Sequence, residues 1–223
     1  MTSALLLLSG GQDSTTCLAW SMERFEKIYT LSFDYGQRHR VELEQAKKIA
    51  DLARVPNEIF SLNLFDQLSK NALTHQDIDI AAGDEKTLPS TFVPGRNQVF
   101  LTIACMKAYQ KGISHIVGGM CQTDYSGYPD CREDFIKSIE KTSSLAMNRD
   151  FTIHTPLMNL GKAGSVKLMQ KLGKLDWLAE SHTCYAGERP ACGKCPACEL
   201  RLKGFEEAGL TDPLEYQKTP SFR

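Results

Sequence analysis

The chain has 223 residues, enough to bury the core of one domain with a small appendage and too few for two large domains. Lys and Arg total 26 against 27 Asp and Glu, and neither sign forms a long block, so composition gives no electrostatic footprint for nucleic acid or an anionic membrane. No apolar stretch approaches the roughly 18 residues of a membrane span, and the first residues carry no basic region, long apolar segment or cleavage site, so a soluble, cytoplasmic protein is expected. In such a reducing compartment the eight cysteines are expected as thiols or metal ligands.

The apolar run Ala4 to Leu8 reads as a central strand buried on both faces. Ser9-Gly10-Gly11-Gln12-Asp13-Ser14 follows, and a helical pattern runs from Ser14 to Phe25. A strand, a glycine turn and a helix N-terminus together make a phosphate site: the glycines allow close approach, and the helix offers unpaired N–H groups. Hydroxyls of Ser9, Ser14, Thr15 and Thr16 are expected to add donors, and Asp13 to hold Mg2+. The Gly-x-x-x-x-Gly-Lys-Ser/Thr spacing of a Walker loop occurs nowhere. Cys17 reads as a core thiol.

A second strand is expected from Ile28 to Phe33, then the loop Asp34-Tyr35-Gly36-Gln37-Arg38-His39, then a helix carrying Leu43, Ala46, Ile49, Ala50 and Ala53 on one face. A third strand, Glu58 to Leu62, leads into a weakly patterned stretch from Leu64 to Pro89, with a turn of helix at Leu64 to Lys70; its length suits a lid or substrate loop. In Phe92-Val93-Pro94-Gly95-Arg96-Asn97, Asn97 is placed to cap a helix with Phe100, Leu101, Ala104, Cys105 and Ala108 on its apolar stripe. A fourth strand, His115 to Gly118, opens into the polar, aromatic loop Cys121 to Cys131. There Asp130 and Glu133 read as a capping pair for a helix whose Phe135, Ile136, Ile139 and Leu145 face the core. A fifth strand, Phe151 to Thr155, precedes a helical segment from Lys162 to Leu172.

Strands alternating with helices predict an α/β fold, a doubly wound five-stranded parallel sheet, with ligands beyond the carboxyl ends of the strands. The first, second, fourth and fifth of these loops then share one crevice. Near the end, Cys184-x7-Cys192-x2-Cys195-x2-Cys198 supplies four thiolates, enough to fill a tetrahedral Zn2+ shell and leave no position for catalytic water. The ion would staple the tail to the sheet. Sulfur spacing alone does not choose the metal, and the tight run also suits an iron–sulfur cluster.

Ser9 to Ser14 resembles the SGGxDS motif of the PP-loop ATP pyrophosphatases, which cleave ATP between the α and β phosphates. With Phe33 to His39, Thr91 to Asn97, Thr123 to Cys131, and Thr183-Cys184-Tyr185 with the final cysteines, it resembles the 7-cyano-7-deazaguanine synthase family over nearly the whole chain. The resemblance implies a carbon–nitrogen ligase of queuosine precursor synthesis, acting on 7-carboxy-7-deazaguanine and ammonia at the expense of ATP, without nucleic-acid or membrane partners, as a homodimer. It implies a PP-loop nucleotide-binding domain over residues 1–180 and a zinc-binding segment over 181–223. By carry-over, Leu8, Ser9, Gly10, Gly11, Gln12, Asp13, Ser14, Thr15, Thr16, Cys17 and Leu18 surround ATP, with Asp13, Ser14 and Lys162 catalytic. Arg38, His39, Arg96, Asn97, Asp124, Tyr125 and Asp130 form the substrate pocket: the arginines neutralise phosphate or carboxylate, and Asp124 or Asp130 accepts from the aminopyrimidinone edge. Structural roles stand beside these: a solvated helix start for Arg38, a loop-bracing arginine for Arg96, a helix cap for Asp130, a backbone bond for His39.

The chain departs from the family at Pro156 to Gly164, which lacks a tryptophan after Met158 and an acid after Lys162-Ala163. Gly164 is expected to weaken its helix by up to about 1 kcal/mol relative to alanine. Two other classes share parts of the pattern, a PP-loop tRNA sulfurtransferase and a non-catalytic zinc-stapled nucleotide-binding module.

Overall fold

The computed structural model describes residues 2–37, 41–68, 70–75, 78, 87–123 and 127–217. Among these, five parallel strands form one sheet: β1 (Ser3–Leu7), β2 (Lys27–Asp34), β3 (Asn57–Ser61), β4 (His115–Val117) and β5 (Thr152–His154), in the order β3-β2-β1-β4-β5. β1 is central, with Leu6 beside Thr30 of β2 and Val117 of β4. The helices are α1 (Gln12–Met22), α2 (Val41–Ala53), α3 (Phe65–Leu68), α4 (Arg96–Gln110), α5 (Glu133–Met147), α6 (Lys162–Lys171) and α7 (Pro196–Ala208), with 3-10 turns at Pro129–Cys131 and Leu175–Ala179.

The leucine-rich run forms a central strand because both of its faces are covered. Ala4, Leu6 and Leu8 pack with Cys17 and Leu18 of α1, Ile49 of α2, Val166 of α6 and Phe205 of α7. Leu5 faces the other way, toward Leu101 and Ala104 of α4 and Ile136 of α5. Successive strand side chains point to opposite faces, so an unbroken apolar run is what a doubly covered strand requires. The order of the sheet turns at β1: β2 and β3 build outward on one side, β4 and β5 on the other. That reversal opens a crevice beyond the carboxyl ends of β1 and β4.

The structure corrects several local expectations. Helix α1 begins at Gln12 and ends at Met22. Leu145 is 74 % exposed, and Ser143 takes the buried position on that face of α5. Asn97 is the second residue of α4, and Gly95, with φ +72°, stands at the N-cap. Arg132 precedes α5 as its N-cap, so Asp130 and Glu133 do not form a capping box there. Helix α7 was not anticipated. Within the weakly patterned stretch, Phe65 and Leu73 join Val93 in a small separate core.

Candidate active site

Three segments converge at the mouth of the crevice. In the first, the turn after β1 is drawn tight by its own hydroxyls: Ser9 and Ser14 Oγ lie 3.1 Å apart, Ser14 Oγ donates to the Gly11 carbonyl at 3.1 Å, and the Gly11 N–H donates to Ser9 Oγ at 3.3 Å. Gly10 has φ +86°, and a Cβ there would stand 2.2 Å from the Glu42 carbonyl oxygen. Only glycine allows both that backbone conformation and the approach of the first turn of α2. Helix α1 lacks a side-chain cap at Gly11, leaving its first N–H groups to face the crevice. Thr15 and Thr16 contribute no donor: both are fully buried, and their hydroxyls donate to the carbonyls of Gly11 and Gln12 at 2.8 and 2.9 Å. Cys17 and Leu18 lie in the core behind them.

The second segment is the start of α6. Lys162 Nζ donates to Asp13 Oδ2 at 2.7 Å, both side chains being partly buried. Helix α7 holds the lysine in place, for a Cβ on Gly204 would come within 2.6 Å of Lys162 Cβ. The missing acid of this region also has a physical reading: a Cβ at Gly164 would press on the Leu160 side chain at 3.2 Å.

The third segment is aromatic and basic. Phe33 and Phe100 stack with centroids 4.1 Å apart, and the Arg96 guanidinium faces the Tyr128 ring at 6.0 Å and the Tyr35 hydroxyl at 3.5 Å. Burial works against the Arg96 charge, but the oxygens of Tyr35, Tyr128 and Asp130 outweigh it and hold the guanidinium above its ordinary range. Burial pushes the Glu42 carboxyl up to about 7, with Arg96 opposing. Asp130 is buried and works structurally, accepting the Asn97 N–H of α4 at 3.1 Å through Oδ2 while its carbonyl takes Asn97 Nδ2 at 3.2 Å.

Together these segments enclose a cavity of about 360 Å³ lined by Leu8, Ser9, Gly11, Gln12, Asp13, Ser14, Arg96, Asn97 and Lys162 among the residues expected from sequence. Arg38, His39, Asp124 and Tyr125 lie outside the described residues. Sequence reasoning missed Glu42, Tyr35, Tyr128, His182, Thr183 and Tyr185, all on the cavity wall. Tyr35 and Tyr128 stood inside motif blocks that could have flagged them; Glu42 had no local signal. Two buried groups at the wall keep unpaired atoms, the carboxamide of Gln12 and Nδ1 of His182. Buried polar atoms are seldom left so, and a polar ligand is the natural partner.

Beside the cavity, Cys184, Cys192, Cys195 and Cys198 place their sulfurs within 4.8 Å of one another, with those of Cys192 and Cys198 at 3.9 Å. A tetrahedron with metal–sulfur bonds of about 2.3 Å has edges near ~3.8 Å, so the four thiols fit one ion. The Cys192 N–H points at Cys184 Sγ and the Tyr185 N–H at Cys195 Sγ, both at 3.4 Å, the orientation that stabilises thiolates. No helix among the described residues is long and apolar enough to cross a membrane.

The strand order and the glycine turn at its switch point define a PP-loop nucleotide-binding fold with a cysteine cluster able to hold a metal. A solved 4-thiouridine synthetase–RNA complex with bound ATP shares the fold at a TM-score of 0.50 and 17% identity, covering 93% of this chain and 50% of that one. Residues 3–209 match the family described as Queuosine biosynthesis protein QueC, and the chain belongs to that family. Relatives named 7-cyano-7-deazaguanine synthase include one from Laribacter hongkongensis (strain HLHK9), 54% identical over 95% of this chain and 93% of its own length. Another, from Bacillus subtilis (strain 168), is 53% identical over 92% of this chain and 94% of its own.

Proposed function

We propose that this cavity makes 7-cyano-7-deazaguanine from 7-carboxy-7-deazaguanine and ammonia, activating the carboxylate as an adenylate. A carboxylate is a poor electrophile until one of its oxygens is converted to a leaving group. ATP phosphates resting on Ser9 to Ser14 and the N-terminus of α1 would present the α phosphorus to the substrate carboxylate, which attacks it and expels pyrophosphate. Ammonia then displaces AMP to give the amide. A second ATP adenylates the amide oxygen, expelling another pyrophosphate, and loss of AMP and of the two nitrogen-bound protons leaves the nitrile. Alignment and charge stabilisation are the work required of the protein.

The observation that carries this reading is the Asp13–Lys162 pair at the open end of the glycine turn, in one cavity with Arg96. Lys162 and Arg96 supply positive charge where pyrophosphate and carboxylate would lie, and Ser14 steadies the turn. Asp13 would hold Mg2+, which neutralises phosphate charge when bound. The four cysteines would hold Zn2+ in a closed, structural shell. We assign residues 1–180 to the PP-loop nucleotide-binding domain and 181–223 to a zinc-binding segment packed on it, whose His182, Thr183 and Tyr185 reach the cavity wall.

The test is mass spectrometry with acid, ATP and isotopic ammonia. The expected products are AMP, pyrophosphate and a nitrile carrying the heavy nitrogen, at two ATP per nitrile from the acid and one from supplied amide. ADP with orthophosphate, or an amide inert to fresh ATP, overturns the reading.

A further inference from the structure

A short stretch of backbone, His182 and Thr183, joins the cysteine cluster to the phosphate loop. His182 is fully buried between the two sites. Its main-chain N–H donates to the Gly10 carbonyl at 2.8 Å, and its carbonyl oxygen would stand 3.5 Å from a Cβ on Gly11. On the other side its ring Nε2 lies 3.2 Å from the Cys184 carbonyl. A carbonyl can only accept, so Nε2 carries the proton and the tautomer is fixed.

The flanks of His182 are tethered with equal care. Arg201 of α7, fully buried, donates to Ser181 Oγ at 2.6 Å, Thr183 Oγ1 at 3.2 Å and the Leu178 carbonyl at 2.9 Å, and forms a two-point pair with Asp212 at 2.7 and 2.8 Å. Downstream, the Tyr185 N–H is held at Cys195 Sγ. His182, Thr183 and Tyr185 all line the nucleotide cavity, so this one segment is at once the cavity's wall and the lead-in to the first cysteine.

We infer that His182 is a positioning residue that transmits the geometry of the cysteine cluster to the phosphate loop, so that metal occupancy sets nucleotide affinity. This rests on the nucleotide reading above. The four thiols fix Cys184; the Cys184 carbonyl fixes the His182 ring; the His182 N–H then fixes the Gly10 carbonyl, and with it the direction of the N–H groups that follow. A displacement of about 1 Å at such a loop is enough to cost ~100-fold in a site built on alignment. Emptying the cluster therefore loosens nucleotide binding while β1, α1 and their core remain folded.

The experiment measures ATP affinity by calorimetry, zinc content by elemental analysis and folding by circular dichroism, on the full chain. Wild-type protein loaded with zinc and the same protein after chelation are compared with zinc-loaded His182→Ala and His182→Gln. His182→Ala is expected to keep its zinc and its fold, bind ATP at least about tenfold more weakly, and raise the KM for ATP more than it lowers kcat. His182→Gln, whose amide N–H can reach the same carbonyl, is expected to recover most of that loss. Chelated wild type is expected to show the same weakened binding with most helical signal retained; if chelation unfolds the chain, the two zinc-loaded variants decide. ATP affinity unchanged in His182→Ala, or equally poor in His182→Gln, overturns the coupling. A zinc-loaded wild type that binds no ATP overturns the nucleotide reading instead.

Discussion

Lys162 Nζ meets Asp13 Oδ2 at 2.7 Å although the two residues stand 149 positions apart in the chain. The contact closes the first turn of α1 against the first residue of α6, directly over the glycine turn, and places one acid and one base at the open end of a helix dipole. Asp13→Ala and Lys162→Ala are each expected to lower kcat/KM by at least about a hundredfold, several kcal/mol of transition-state stabilisation. Because the residues touch, the double variant is expected to lose less than the product of the two single losses. Steady-state kinetics on the three proteins checks both statements.

Gly10 tests the architecture rather than the chemistry. Its positive φ and the 2.2 Å approach of a Cβ to the Glu42 carbonyl mean that Gly10→Ala must move either the turn or α2. Backbone strain and overpacking together predict a loss of roughly 3 kcal/mol. Gly11→Ala, where a Cβ would sit 3.4 Å from Ser9 Oγ in ordinary contact, is expected to be far milder. Denaturant unfolding of the two variants should separate them cleanly.

The sheet was legible because its signals are local. Leucine runs, the glycine turn and helical spacing each lie within a few residues, and all five strands fall where those signals stand. The misses need tertiary information or a stricter count. Asp130 has capping chemistry, but it spends that chemistry on the N–H of Asn97, 33 positions earlier, which no adjacent pattern reveals. Glu42 reads as an ordinary acid in the first turn of a helix; it becomes a cavity wall because Gly10 lets α2 approach. Leu145 was misplaced by counting composition over angle: six residues beyond Ile139 at about 100° per residue points away from the core, whereas Ser143, four beyond, points in. Helix α7 had a proline at its start and Gly209, with φ +71°, at its end, a start and stop signal overlooked because the cysteines in the same stretch read as a metal-binding loop.

Arg201 and Asp212 form an almost wholly buried pair, 1 % and 3 % exposed at the side chain. Removing one partner strands the other charge in the protein, so Arg201→Ala is expected to cost about 3–5 kcal/mol. Arg201→Lys is expected to recover only part of this, since a single ammonium cannot span both Asp212 oxygens, Ser181 Oγ and the Leu178 carbonyl. Thermal unfolding of both variants, with metal content measured alongside, tests the expectation.

Glu42 gives the fold a pH dependence whose sign can be worked out. Burial raises its carboxyl from about 4.5 to about 7 in the folded chain, with Arg96 the main opposing influence. The folded state therefore holds the Glu42 proton more tightly than the unfolded chain does. Its contribution to stability is fully present below about 4.5 and is lost as pH rises through about 7, where the carboxyl must ionise at the cavity wall beside Arg96 and Tyr35. Glu42→Gln removes that penalty while keeping the shape of the side chain. The variant and the wild type are expected to melt together near pH 4.5, to diverge between pH 4.5 and 7, and to stay a few degrees apart above it, the variant being the more stable. Melting curves of the two proteins across that range, without nucleotide, decide the matter; a wild type that becomes the more stable of the two as pH rises would place the Glu42 carboxyl below its ordinary value and make it the ion-paired partner of Arg96 rather than a carboxyl raised by burial.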